Sequence, residues 1–201
     1  MSIHARSSED TRGADTAEVV GVDLGVKRLL AAAPASSGPD VTNAIVVDGL
    51  GVSELYERLG ETLNGLEEGE AHIAMPYREL LPRRFGVAAA ALLDYVAEIG
   101  TGVVALEDFP HDRQPLAECA RSGEKVGWWV LPELRHRLEA DLAAAGYRVK
   151  RVSPKYTTQQ CHVCDELASI GDDAISCTTE TCPVDTVCRD RSAAVSIAKR
   201  G

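Results

Sequence analysis

Four cysteines in the C-terminal quarter have the spacing of a metal site. Cys161 and Cys164 form C-x2-C, twelve residues follow, and Cys177 and Cys182 form C-x4-C. Four thiolates so arranged suit tetrahedral Zn²⁺. A closed site of this kind is structural, so zinc takes no catalytic role. Cys188 is an alternative fourth ligand and His162 a weaker one. Cys119 stands alone in a polar stretch and reads as a small residue.

Three carboxylates suit different chemistry. Asp23 follows the apolar run VVGV, Glu107 ends the run TGVVALE, and Asp190 opens the last helical stretch. A carboxylate in an apolar setting is costly unless it is paired or bound to a cation. Three convergent carboxylates suit two divalent cations, and oxygen ligands favour Mg²⁺ or Mn²⁺. Such a pair can activate a water and stabilise both oxygens of a phosphodiester displacement. The plainer reading makes Asp23 a turn residue, Glu107 a strand-end charge and Asp190 an N-cap.

Arg148, Lys150, Arg151 and Lys155, with Tyr156 alongside, form the first candidate for phosphate contact. Arg189, Arg191, Lys199 and Arg200 extend it, although Lys199 and Arg200 also suit the C-terminal dipole of a helix. Trp128 and Trp129 are expected to pack the start of the longest helix rather than stack on bases. Arg135 and Arg137 are expected on its solvated face.

The elements that must position these residues can be read from pattern. AEVVGVDLGVKRLLAAA predicts two strands around a tight Gly-bearing turn, and NAIVVDG a third. Residues 51–67 are helix-like but interrupted by Gly60 and Gly65. The stretch from 83 to 99 has helical periodicity and stops at Gly100. TGVVALEDF predicts a buried strand. HDRQPLAECARSGEKVG is polar and reads as a mobile connection. Leu131, Leu134, Leu138, Leu142 and Ala145 mark the best helix, ending at Gly146. YRVKRVS predicts a strand, and DRSAAVSIAKR a terminal helix beyond the cysteines. The order β-β-β-α-β-α-β-α, with acids on the first strand, the fourth strand and the last helix, is an RNase H-like layout.

Bulk properties limit the alternatives. The chain has 201 residues and a formal net charge of -10, which argues against a generic basic nucleic-acid binder. Lys occurs only at 27, 125, 150, 155 and 199. Excess Asp and Glu with little Lys is the balance expected in high intracellular salt, a halophilic setting in which phosphate attraction is screened. No apolar run approaches the ~18 residues that a membrane span needs. The first 17 residues are polar and aperiodic, so a flexible tail is expected there, with no secretory signal. Cysteines without an export signal fit a reducing compartment, hence a cytoplasmic location.

The motifs resemble one family. GVDLGVKRLLAAA is similar to the first RuvC motif of transposon-encoded TnpB proteins, and VVALEDF to the second. VSPKYTTQQCHVC resembles the lead into their zinc ribbon, and RDRSAAVSIA the third motif. The resemblance implies an RNA-guided DNA nuclease related to type V CRISPR effectors. It implies an α/β fold of RNase H-like (RuvC) type: a mixed sheet flanked by helices, with a small zinc ribbon inserted before the C-terminal helix. Asp23, Glu107 and Asp190 match the metal-binding catalytic acids, and Cys161, Cys164, Cys177 and Cys182 the ribbon ligands. The expected division is a tail at 1–17, a nuclease domain at 18–156 and 186–201, and the ribbon at 157–185. DNA, a guide RNA and a separate protein supplying an N-terminal half are the implied partners.

The sequence departs from the family pattern in four places. Ser192 and Ser196 stand where the third motif usually has Asn. The second cysteine pair is stretched, and residues 34–80 match poorly and are acidic. About 18 residues precede the first motif, where full-length members carry a large guide-binding part. Two expectations therefore stand side by side: a divalent-metal DNA endonuclease, and a non-cleaving nucleic-acid-binding or regulatory remnant.

Overall fold

The computed structural model describes residues 18–65, 75–109 and 115–201. The tail expected over 1–17 lies outside the described residues.

The first three strands are β1 (Val19–Leu24), β2 (Arg28–Pro34) and β3 (Ile45–Asp48), followed by α1 (Val52–Gly65) and α2 (Met75–Ile99). Next come β4 (Val103–Glu107), α3 (Leu116–Ser122), α4 (Val126–Ala144) and β5 (Arg148–Val152). The cysteine segment adds β6 (Ser169–Ile170), β7 (Ala174–Ser176) and β8 (Thr186–Cys188), and α5 (Arg189–Arg200) closes the chain. Among the described residues no helix is long and apolar enough to cross a membrane.

The main sheet is mixed, in the order β3-β2-β1-β4-β5. β2 runs antiparallel to β1 and β3, while β4 runs parallel to β1 and β5. Side chains alternate between its two faces. Val20, Val22, Leu24, Val104 and Leu106 join the main core with α1, α2 and α4. The opposite face carries Gly21, Asp23, Ala105 and Glu107, with α5 packed across it. Strands buried on both faces read as continuous apolar runs, so this alternation is hidden in the sequence.

Gly21 explains how closely α5 approaches. A Cβ there would overlap the Ala194 carbonyl oxygen and the Ala198 amide. Only a residue without a side chain lets the helix backbone rest on β1. Ala31, Ala33 and Ala105 keep the rest of that face low.

The helical face differs from expectation in four places. α1 runs unbroken through Gly60, where a side chain would press on the Ala120 carbonyl of α3. The polar stretch expected to be a mobile connection contains α3, whose Cys119 and Ala120 are buried. α2 starts at Met75 and continues past Pro82, so that Leu81 and Phe85 share the core. Trp129 stacks on Tyr56 at 6.1 Å and tilts on Phe85 at 5.6 Å, as packing residues do; Trp128 is half-exposed. Arg135, expected on a solvated face, is buried. It donates to the Phe109 carbonyl at 3.1 Å and to Asp108 at 3.3 Å.

Candidate functional site

The three acids arrive from three separate elements. Val22 pairs with Leu106 in the parallel register of β1 and β4, so the next step sets Asp23 beside Glu107 on the α5 face. Both lie at the C-terminal ends of parallel strands, where open α/β sheets place their sites. The close seat of α5 on Gly21 brings its first turn, with Asp190, to the same end. Asp23, Glu107 and Asp190 line one pocket of about 300 Å³ together with Lys27, Arg28, Thr158 and Arg189.

The three carboxylates have unequal surroundings. Asp23 is only 7% exposed and has no hydrogen bond or ion pair among the described residues. Burial, then the charges of Glu107 and Asp190, hold its carboxyl well above the usual range, and Arg189 acts weakly the other way. Burial pushes Glu107 up to about 7, against the Thr157 hydrogen bond and the Arg200 charge. The Thr157 hydroxyl donates to Glu107 Oε1 at 2.6 Å and also lies 2.9 Å from the Pro154 carbonyl. Asp190 is already satisfied. Arg28 Nη1 donates to its Oδ2 at 2.7 Å, and Arg189 Nε lies 3.5 Å from Oδ1.

Thr157 is a site residue that the sequence reading passed over. It lies just beyond Tyr156, which takes a left-handed conformation at φ 66°. Such backbone costs a non-glycine residue about 1 kcal/mol or more, and persists where its surroundings require it. Here it turns the chain so that Thr157 faces Glu107. The only sequence signal was its position inside the motif KYTTQQ.

The cysteine cluster is geometrically complete. The sulfurs of Cys161, Cys164, Cys177 and Cys182 all lie within 4.8 Å of one another. Cys161 and Cys182 are 3.6 Å apart, and Cys164 and Cys177 are 3.5 Å apart. Tetrahedral Zn–S bonds of about 2.3 Å require sulfurs about 3.8 Å apart, so these residues fit the ion. The stretched C-x4-C pair closes because the Cys182 amide bonds back to the Thr179 carbonyl at 3.0 Å. The two alternative ligands point elsewhere. His162 is buried with Nδ1 3.0 Å from Ser192 Oγ and Nε2 3.3 Å from the Gly38 carbonyl. Cys188 Sγ lies 3.7 Å from Arg28 Nη1. Burial pushes the Cys161 thiol up to about 12, whereas the Thr179 backbone draws Cys177 down to about 7.

This module is bound to the rest of the chain. Cys161, Ile175, Val184 and Val187 share a core with Ala31 and Ala33 of β2 and with Ala194 and Val195 of α5. β8 pairs with β7 and leads directly into α5. Lys27 and Arg28 at the β1–β2 turn reach Asp173 beside β7, at 2.8 and 3.7 Å.

The basic candidates divide into two groups. Arg151 grips Glu139 through two bonds of 2.7 and 2.8 Å, and Lys150 donates to the Gly201 carbonyl. Arg148 and Tyr156 are exposed, Lys155 lies 5.0 Å above the Tyr156 ring, and Arg191 is half-buried on α5.

The fold and these two clusters define a mixed α/β protein with a cysteine module beside a carboxylate pocket. Residues 132–197, from α4 through the cysteine module into α5, match the family model described as Cas12f1-like, TNB domain. Two solved structures are similar over 90% of this chain. One is a Cas12f1–sgRNA–target DNA complex (TM-score 0.65, 18% identity) and the other a CRISPR-Cas12f ternary complex (TM-score 0.63, 17% identity). The chain spans 49% and 38% of those two proteins, half their length or less. No curated protein matches it. These findings bear out the resemblance to the TnpB/Cas12f-like family.

Proposed function

We propose that this chain is a divalent-metal-dependent DNA endonuclease domain of the RuvC type, RNase H-like in fold, with a DNA-binding zinc ribbon. One observation carries the reading: Asp23, Glu107 and Asp190, drawn from β1, β4 and α5, line a single pocket. The sheet order, with β2 antiparallel to β1 and β4 parallel to it, supports the fold assignment. The reading divides the chain into the nuclease domain, 18–156 with 186–201, and the ribbon, 157–185.

The donor set fits Mg²⁺ or Mn²⁺: hard oxygens, and in Asp23 a buried carboxylate without a cation. Bound there, such ions would supply a nucleophile from water and stabilise the charge on the phosphodiester oxygens. Asp23 and Glu107, at the ends of adjacent strands, would hold the ion. Thr157 fixes the rotamer of Glu107 through its 2.6 Å bond. Asp190 completes the set from α5. The thiolates of Cys161, Cys164, Cys177 and Cys182 would hold zinc and so anchor the segment that delivers Asp190.

Substrate contact falls to Arg148, Lys155, Tyr156 and Arg191, with Lys150 and Arg151 engaged within the protein. DNA is the substrate. The similar Cas12f1 complex contains sgRNA and target DNA, so a guide RNA is the second partner and a separate protein a third. The protein works in the cytoplasm of a cell with high internal salt.

The test incubates zinc-loaded protein with labelled single-stranded DNA and Mn²⁺ or Mg²⁺ at high KCl, beside Asp23→Ala. Cleavage that the variant loses supports the reading. Binding without cleavage supports a second reading, a nucleic-acid-binding remnant. The ion pair on Asp190 and the serines at 192 and 196 favour that alternative.

A further inference from the structure

The guanidinium of Arg28 sits where a cation would be expected, on one of the three acids. We propose that Arg28 is a resident counter-ion on Asp190, so that the pocket takes one divalent cation, on Asp23 and Glu107, and admits a second only when Arg28 is displaced. This inference rests on the carboxylate-site reading above and deepens it.

The backbone delivers Arg28 to that place by a local irregularity. Leu30 and Ala32 face the main core, and strict alternation would put Arg28 on the same side. The β2–β3 register shifts between Arg28 and Leu30. The bulge turns Leu29 into the main core and Arg28 to the opposite face, onto Asp190. Bulges beside active sites re-aim side chains in this way. Arg28 is 22% exposed and Asp190 15%, so their 2.7 Å contact is largely shielded from water. A charge-assisted bond in that setting competes with an incoming ion.

The other two acids differ. Asp23 makes no ion pair or hydrogen bond among the described residues, although the Arg189 charge acts on it, and the side-chain hydrogen bond that Glu107 accepts comes from a neutral donor, the Thr157 hydroxyl, at 2.6 Å. The vacant demand for positive charge therefore lies between Asp23 and Glu107. Arg28 also has an alternative acceptor. Asp173, on the turn before β7, lies 3.7 Å from its Nη2. Displacement from Asp190 moves the guanidinium towards that carboxylate and ties it more firmly to the cysteine module.

The experiment counts Mn²⁺ bound to zinc-loaded protein by electron paramagnetic resonance and calorimetry, without nucleic acid. Wild type is expected to bind one Mn²⁺, Arg28→Asn two, and Arg28→Lys one. Within wild-type background, Asp23→Asn should weaken that single site at least tenfold, whereas Asp190→Asn should change it less than threefold. This second comparison holds even if Arg28→Asn folds poorly. Two ions in both wild type and Arg28→Asn, or equal losses from Asp23→Asn and Asp190→Asn, would overturn the role of Arg28 and leave the metal site standing. No Mn²⁺ in any form would overturn both.

Discussion

The cysteine cluster and the carboxylate pocket are both candidate metal centres, and they are built in opposite ways. The cysteines come from 22 consecutive residues, and their sulfurs already lie within 4.8 Å of one another. The acids come from β1, β4 and α5, separated by most of the chain. Their order depends on the parallel register, the Gly21 contact and the α5 connection. One site needs only a short segment to close on itself; the other exists only when the whole sheet has formed. The cysteine module joins them, since β8 runs into α5 and Arg28 lies between Asp173 and Asp190.

The largest expected effect separates the two sites through zinc. Structural zinc contributes on the order of 10 kcal/mol to small modules. Cys161→Ser or chelation should release the ion, unfold residues 157–188 and loosen α5. Metal analysis with limited proteolysis checks this; a zinc-free protein that keeps α5 protected would break the proposed dependence of one site on the other.

Gly21→Ala attacks the pocket without touching a charged group. The added methyl meets helix backbone on α5, which cannot yield as a flexible side chain can. A loss of about 3 kcal/mol or more is expected, seen as a lower urea midpoint. Zinc content should fall little, because the sulfurs are held within their own segment.

A third effect appears with pH in protein without divalent cations. Glu107 is held up to about 7 and Asp23 is also raised, so both favour protonation in the folded state. Their stabilising contribution is complete below about pH 4, near the ordinary carboxylate range. It is lost as pH rises through about 7, on the order of a few kcal/mol. Thermal melts from pH 4 to 8 should show this decline, and Mn²⁺ should remove it. A decline unchanged by Mn²⁺ would separate the acids from metal binding.

Thr157→Val should have the smallest effect, about 1–2 kcal/mol, by removing one hydrogen bond to a charged group. Glu107 should then titrate at higher pH, which carboxyl NMR can follow. The cysteine cluster should be unaffected.

The same contrast governs what the sequence revealed. The cysteine site was legible because thiol spacing maps directly onto coordination geometry. The acids could be picked out because each lay at an end of an apolar or helical pattern. Their shared face could not, since β1 and β4 are buried on both sides and show no alternation. Arg28 was hidden for a further reason: a bulge reverses the side it faces, and no residue type marks it. Arg135 sat between apolar helix positions and looked solvated, until Asp108 and the Phe109 carbonyl, far away in sequence, supplied its partners. α3 was obscured because it is short, its buried residues, Cys119 and Ala120, are small, and Glu118, Arg121 and Ser122 are polar.

The most direct measurement is anomalous diffraction from crystals of zinc-loaded protein soaked in Mn²⁺, recorded at both metal edges. The account predicts a zinc peak among the sulfurs of Cys161, Cys164, Cys177 and Cys182, and a manganese peak between Asp23 and Glu107. Zinc at the cysteines with no manganese in the carboxylate pocket would contradict it.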